Sequence, residues 1–274
     1  MSAPALGLGT APMLGRVGRR ASVAALESAY DLGIRHVDTA RSYGWGEAEA
    51  LVGSVLGRHP RDSYTLVTKC GLLPARRSPL LSAAKRVGRV VYARVRVGRS
   101  LVRRVASAPA FQPRSTYDVA ALRASLDTSL RALRTDYVDT LLLHNSVPGA
   151  PLQDVVTWFA QERQAGRTRR YGFSIEGDLL ESLAFLRSEY GALDDAVVQA
   201  PVSEALLALP AEWRCVPIVA HSLFAFIRSR PDATFGSVVN RLAAIRCEAV
   251  VASMFSRAHQ VDNLRIVRSV ALNS

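Results

Sequence analysis

The sequence predicts a closed (β/α)8 barrel, the TIM-barrel arrangement, and three observations carry that expectation. Eight short runs rich in β-branched residues or Leu recur along the chain, stretches of helical period separate them, and the length of 274 residues suits one such unit. An open doubly wound sheet is the competing arrangement. It expects G-x-G-x-x-G at the opening of the first helix, whereas GLGTAPMLG spaces its glycines differently and is interrupted by Pro12.

The elements follow in order. ALGLG (5–9) precedes a helical pattern over 20–33, RHVD (35–38) precedes 46–58, and YTLVTK (64–69) is the third strand. YVDTLLL (137–143) follows a helix at 117–134 and precedes one at 151–165, and RRYGFS (169–174) precedes 177–190. AVVQ (196–199) leads to a short helix at 202–209, VPIVA (216–220) to one at 234–246, and EAVVAS (248–253) to one at 257–271. Strands alternating with helices are the pattern of repeated βα units and a parallel sheet.

One connection breaks the rhythm. Strand three ends near Gly71 and the next helix starts near Tyr117, so a basic insertion of about 72–116 lies between strand 3 and helix 3 of a single domain spanning 1–274. Residues 63–117 hold twelve Lys or Arg and no Asp or Glu, which leaves 23 basic and 23 acidic residues elsewhere in a chain of net charge +12. Gly88 and Gly98 interrupt any helix there, while Arg89, Arg96 and Arg103 share a helical face and Val95 and Val97 alternate with arginines as in a strand. A solvated flap, a lid attracting anionic substrate, an arm contacting another protein and an anchor to an anionic lipid surface all fit such a segment. Nucleic acid is not an expected partner, because only Tyr92 and Phe111 are interleaved with these bases for stacking.

Composition narrows the class further. Hydrophobic residues make up 49% and charged residues 21%, enough apolar surface for a folded core, so global disorder is excluded. No apolar stretch is long enough for a membrane span, and the opening segment lacks the basic and apolar regions of a secretory signal. Cys70, Cys215 and Cys247 are odd in number and widely spaced, which suits a reducing compartment, and a cytoplasmic location is expected. No metal-type spacing, Ser-His-Asp order or phosphate-binding P-loop occurs.

In a barrel of this kind, chemistry is carried by polar residues at the C-terminal ends of the strands. Four are expected there: Asp38 closing strand two, Tyr43 in the loop after it, Lys69 near the end of strand three, and His144 directly after the apolar run of strand four. Each has an ordinary explanation alone, as a turn cap, a half-buried aromatic, a snorkelling lysine and a strand-end histidine. Together they suit reduction of a carbonyl. A phenol with an ordinary pKa of about 10 is a poor acid unless a buried ammonium stabilises its anion, and a carboxylate keeps that ammonium charged. An imidazole then orients the carbonyl oxygen.

DTARSYGWGEAEALVG, LVTKCG and YVDTLLLHN resemble the aldo-keto reductase superfamily over nearly the whole chain apart from the insertion. The resemblance implies an NADPH-using (β/α)8 barrel with Asp38, Tyr43, Lys69 and His144 as the catalytic tetrad. It also implies that Ser174 and Gln199 hold the nicotinamide carboxamide and that His221, beside Ser222, stacks on the ring. Ile175 stands where the family has Asn, which removes one hydrogen bond. In VVASMFSRAHQVDNL, Ser253, Ser256, Arg257 and His259 fall at the phosphate-binding loop and helix start, with Asn263 at the adenine-binding position. Arg257 favours NADPH over NADH through charge-assisted bonds to the 2′-phosphate. The activity implied is interconversion of an aldehyde or ketone and its alcohol, with a small carbonyl or alcohol as substrate. The alternative is a weakly catalytic NADPH-binding subunit for redox sensing or docking.

Overall fold

Short runs rich in Val and Leu form strands that are largely buried, and the sheet they build closes on itself. The structure, a computed structural model, describes residues 3–74, 114–146, 148–191 and 193–272. The barrel strands are β1 (Ala5–Gly9), β2 (His36–Asp38), β3 (Thr65–Cys70), β6 (Val138–Ser146), β7 (Thr168–Ile175), β8 (Ala196–Pro201), β9 (Ile218–His221) and β10 (Ala249–Ala252). They pair in parallel in the closed order β1-β10-β9-β8-β7-β6-β3-β2. Around them lie α1 (Arg19–Asp31), α2 (Ala48–Leu56), α3 (Val119–Leu133), α4 (Gln153–Gln164), α5 (Leu179–Tyr190), α6 (Glu204–Leu207), α7 (Leu223–Arg228), α8 (Phe235–Ala244) and α9 (Arg257–Leu272). The expected (β/α)8 barrel is the fold observed. None of the described helices is long and apolar enough to cross a membrane.

Two elements differ from the expectation. The fourth barrel strand continues past Leu143 to Ser146, so His144 lies within β6 and pairs with Ser174 rather than following the strand. The ladder shifts register between His144 and Ser146, where Asn145 takes a φ of +57°. The helix α7 was not anticipated, being only six residues long and carrying Phe224 and Phe226 within it rather than a clear polar face.

The insertion has described ends. After Gly71 the chain forms β4 (Leu72–Leu73), which pairs antiparallel with β5 (Arg114–Ser115), and the Thr116 amide donates to the Gly71 carbonyl at 2.8 Å. The segment therefore departs from and rejoins the barrel beside β3. Its basic residues between 75 and 113, and every role considered for them, lie outside the described residues.

Packing inside and outside the barrel is separate. Val67, Leu142, Val197, Val219, Ala249 and Val251 form an apolar cluster of their own within the barrel. The larger core lies between strands and helices and includes Trp158, Phe159 and Phe173. Thr68 donates to the buried Glu49 carboxylate at 2.7 Å, which pins α2 to the outer face of β3 beside Lys69. At the opposite end Arg61 bonds Asp139 at 2.7 Å, and the same carboxylate oxygen accepts from the Leu66 amide at 2.8 Å.

The strands approach most closely at Gly172, which is paired with Val197. A Cβ there would fall 1.8 Å from the Val197 carbonyl oxygen and 2.6 Å from its carbon. Gly172→Ala must therefore spread β7 from β8, a backbone shift costing about 1–3 kcal/mol or more. Urea unfolding is expected to show a lowered midpoint with an unchanged slope; a midpoint equal to the parent's would contradict this packing.

Candidate active site

Alternation along each strand sends every second side chain to the barrel axis, and the last inward position on each strand faces the C-terminal mouth. On β2 that position is Asp38 and on β3 it is Lys69, both nearly fully buried at 4% and 1% exposure. The backbone holds them by the barrel ladder: the Thr10 amide donates to the Asp38 carbonyl at 3.0 Å, and the Thr39 amide to Val67 at 2.9 Å. Lys69 Nζ donates to both Asp38 oxygens at 2.6 and 2.7 Å and to the Thr39 carbonyl at 3.1 Å. Its remaining contact is the Tyr43 hydroxyl at 3.5 Å.

Tyr43 arrives from the loop after β2, where Gly44, Trp45 and Gly46 all adopt positive φ. A Cβ on Gly44 would lie 2.9 Å from the Met13 carbonyl oxygen, so the tight turn that presents Tyr43 needs glycine there. His144, from β6, sets its ring edge-on to Tyr43 with centroids 5.8 Å apart. The four residues expected to form the tetrad are thus brought together.

The electrostatics follow from burial set against pairing. Burial alone would push the Asp38 carboxyl up, yet the Lys69 ammonium and hydrogen bonds from Lys69 and Gln199 hold it below the ordinary range. Burial would likewise lower Lys69, but the Asp38 charge overrides it and the ammonium is held above its usual value. Tyr43 departs from expectation. Burial raises its pKa above the ordinary value, and the nearby ammonium offsets only part of that rise. The phenol is therefore fully protonated at neutral pH. His144 is pushed down to about 3 and His221 to about 4, chiefly by burial and secondly by the Lys69 charge. Both imidazoles are neutral at pH 7.

A cavity of about 370 Å³ opens over these groups. Of the residues expected around a nicotinamide, Ser174, Gln199, His221, Ser222 and Ser253 line it together with Asp38, Tyr43 and His144. Gln199 is bonded inward: its Nε2 donates to Asp38 Oδ2 at 2.8 Å, and its Oε1 accepts from Ser174 at 3.3 Å. Ile175 is buried at 2% exposure, and Glu176 after it lines the cavity instead. Ser256, Arg257, His259 and Asn263 lie apart, at and along the start of α9. There Asn263 is buried, Arg257 and His259 are exposed, and Arg257 donates to Ser28 on α1 at 3.0 Å. Sequence reasoning missed Arg16, Glu176 and Arg228 at the cavity wall, the first two because loop residues carry no periodic signal and the third because its short helix was not anticipated.

The mouth suits a group that both donates and accepts hydrogen bonds. His144 Nδ1 and His221 Nε2 are buried without partners, and the bare backbone of Gly9 forms part of the wall.

A family model described as "Aldo/keto reductase family" matches residues 5–225. The chain is 28% identical over 193 residues to the NADH-specific methylglyoxal reductase of Escherichia coli, covering 69% of this chain and 50% of that protein. It spans about half the length of the curated relatives it matches. Among solved structures, an aldo-keto reductase from Klebsiella pneumoniae in complex with NADPH is 25% identical with a TM-score of 0.65, covering 97% of this chain and 86% of that one. An aldo-keto reductase from Bacillus halodurans shares the fold with a TM-score of 0.69 at 18% identity, covering 99% and 93% of the two chains.

The lowered imidazoles have a measurable consequence. Unfolded chains protonate these histidines below about pH 6.5, whereas the folded protein resists until about 4 at His221 and about 3 at His144. The unfolded state therefore binds more protons across that window, and stability falls as pH drops through it. Ring-proton NMR is expected to show no titration of His144 or His221 between pH 8 and 5. A midpoint near 6.5 for either would contradict their burial.

Proposed function

The chain belongs to the aldo/keto reductase family, and from that premise we propose that it is an NADPH-dependent oxidoreductase interconverting a small aldehyde or ketone and its alcohol, with Tyr43 as the proton donor. The observation that carries this reading is the placement of Lys69 Nζ, 2.6 Å from Asp38 and 3.5 Å from Tyr43, beneath a cavity at the barrel mouth.

The reduced nicotinamide supplies the hydride when bound. The chain's own residues manage the oxygen. As charge develops on the carbonyl oxygen, Tyr43 gives up its hydroxyl proton, and the phenolate left behind is stabilised by the ammonium beside it. Asp38 keeps that ammonium charged inside the barrel. His144, neutral at working pH and set edge-on to Tyr43, is assigned to hydrogen-bond and orient the carbonyl. In the direction of alcohol oxidation the same atoms act in reverse, with the Tyr43 phenolate as base.

Ser174, Gln199, His221, Ser222 and Ser253 would hold the nicotinamide end, with Gln199 also fixing the Asp38 carboxylate. Ser256, Arg257, His259 and Asn263, around the start of α9, would take the phosphates and adenosine. NADPH is preferred over NADH on account of Arg257, an exposed cation in the first turn of that helix. The 25% identical Klebsiella reductase that binds NADPH supports this choice, while the NADH-specific Escherichia coli relative keeps NADH as the lesser option.

Tyr43→Phe is expected to lower NADPH-linked reduction of small aldehydes by about 10²-fold or more, as removal of a general acid does. Cofactor affinity, read from nucleotide fluorescence, should be nearly unchanged. Near-normal turnover in that variant would contradict the assignment.

A further inference from the structure

The barrel holds a second cavity, below the first. It has a volume of about 200 Å³; Thr65, Thr140, Arg170 and Glu248 line it at the N-terminal ends of the strands together with His36, and Val67, Leu142 and Val197 line it between these groups and Gln199 at its inner end. Gln199 lines both cavities and donates to Asp38, so it forms the partition between this cavity and the active site. Three residues separate Gln199 from the start of β8, a depth of about 10 Å at the usual rise of a strand.

His36 is the notable wall residue. It stands two positions before Asp38 on β2, hence on the same inward face. Gly7 on the neighbouring strand makes room for the ring: a Cβ there would lie 2.7 Å from His36 Cδ2. The ring is half-buried, and its Nε2 is buried without a partner. Burial lowers its pKa, with Asp38, Asp139 and Glu248 opposing that shift and Lys69 adding to it. The other polar groups on this cavity are Thr65, Thr140 and Arg170, the last paired to Glu248 at 2.8 and 3.1 Å.

Each carbonyl reduced leaves Tyr43 one proton short. Lys69 and Asp38 are 1% and 4% exposed, and Tyr43 opens only to the mouth, which cofactor and carbonyl fill during turnover. Building on the oxidoreductase reading, we propose that His36 relays the proton that restores Tyr43, drawn from solvent at the N-terminal end of the barrel. One proton passes from solvent to cavity water and on to one nitrogen of His36 as the other nitrogen releases its own. The released proton reaches Asp38 through cavity water beside Gln199, and Asp38 passes one to Lys69 as Lys69 protonates the Tyr43 phenolate. One proton enters for each alcohol formed, His36 ends neutral, Lys69 ends charged, and nothing is oxidised in the relay.

The test measures NADPH-linked aldehyde reduction in the parent, His36→Ala and Thr65→Leu proteins, with rates in H2O and D2O. Thr65 is exposed at the cavity entrance and pairs with His36 across β2 and β3, so leucine there narrows the route while the imidazole is kept. The expected result is an approximately 10²-fold loss of kcat in His36→Ala with unchanged NADPH affinity and a larger solvent isotope effect. Added imidazole should restore kcat, whereas pyrazole, equal in size but a far weaker base, should not. Thr65→Leu should slow kcat in the same sense. Unchanged kcat and isotope effect in a folded variant, or equal rescue by both heterocycles, would overturn the relay. If His36→Ala does not fold, Thr65→Leu decides alone. Absence of turnover in the parent protein would instead overturn the oxidoreductase reading on which the relay rests.

Discussion

A lysine ammonium buried at 1% exposure is tolerable only because the Asp38 carboxylate lies 2.6 Å away, and the rest of the site is arranged around that pair. Taking both charges out of water costs several kcal/mol each, and their attraction repays it only when remaining hydrogen-bonding capacity is also used. Here it is: the Thr39 carbonyl takes one lysine proton, and the Gln199 amide satisfies the carboxylate. The one loosely held contact, 3.5 Å, goes to the Tyr43 hydroxyl.

Barrel geometry makes this arrangement possible. β2, β3, β6, β7 and β8 are successive neighbours, with Asp38 opposite Val67, Lys69 opposite Leu142, His144 opposite Ser174 and Ser174 opposite Gln199. Residues 161 positions apart in sequence also come within hydrogen-bond reach across the barrel interior, as Gln199 does with Asp38. Two glycines give local clearance: Gly172 lets β7 lie against β8, and Gly7 leaves room for the His36 imidazole. The interior is consequently polar at both ends and apolar only across its middle.

Much of this was legible in the chain. The eight runs and the spacing between Asp38 and Tyr43 point to the barrel and the site because strand-end chemistry is local to each strand. The continuation of β6 through His144 was hidden, since it depends on pairing with β7 across a register shift at Asn145. The direction of the Tyr43 shift was also hidden. A neighbouring ammonium can be guessed from sequence, but the weight of burial against it depends on three-dimensional packing. His36 was passed over as part of a strand, although its place two residues before Asp38 already puts it on the inner face. The Gln199 bond to Asp38 had no signal at all, because it joins strands that are not adjacent.

At the Tyr43 phenol the Lys69 charge opposes burial. Carbon-13 NMR of the Tyr43 ring, followed against pH in the parent, in Lys69→Met and in the charge-balanced Lys69→Met/Asp38→Asn protein, measures it directly. The account predicts a parent pKa above the ordinary tyrosine value and a still higher one in both variants. A Tyr43 pKa that stays the same, or falls, when the ammonium is removed would contradict it.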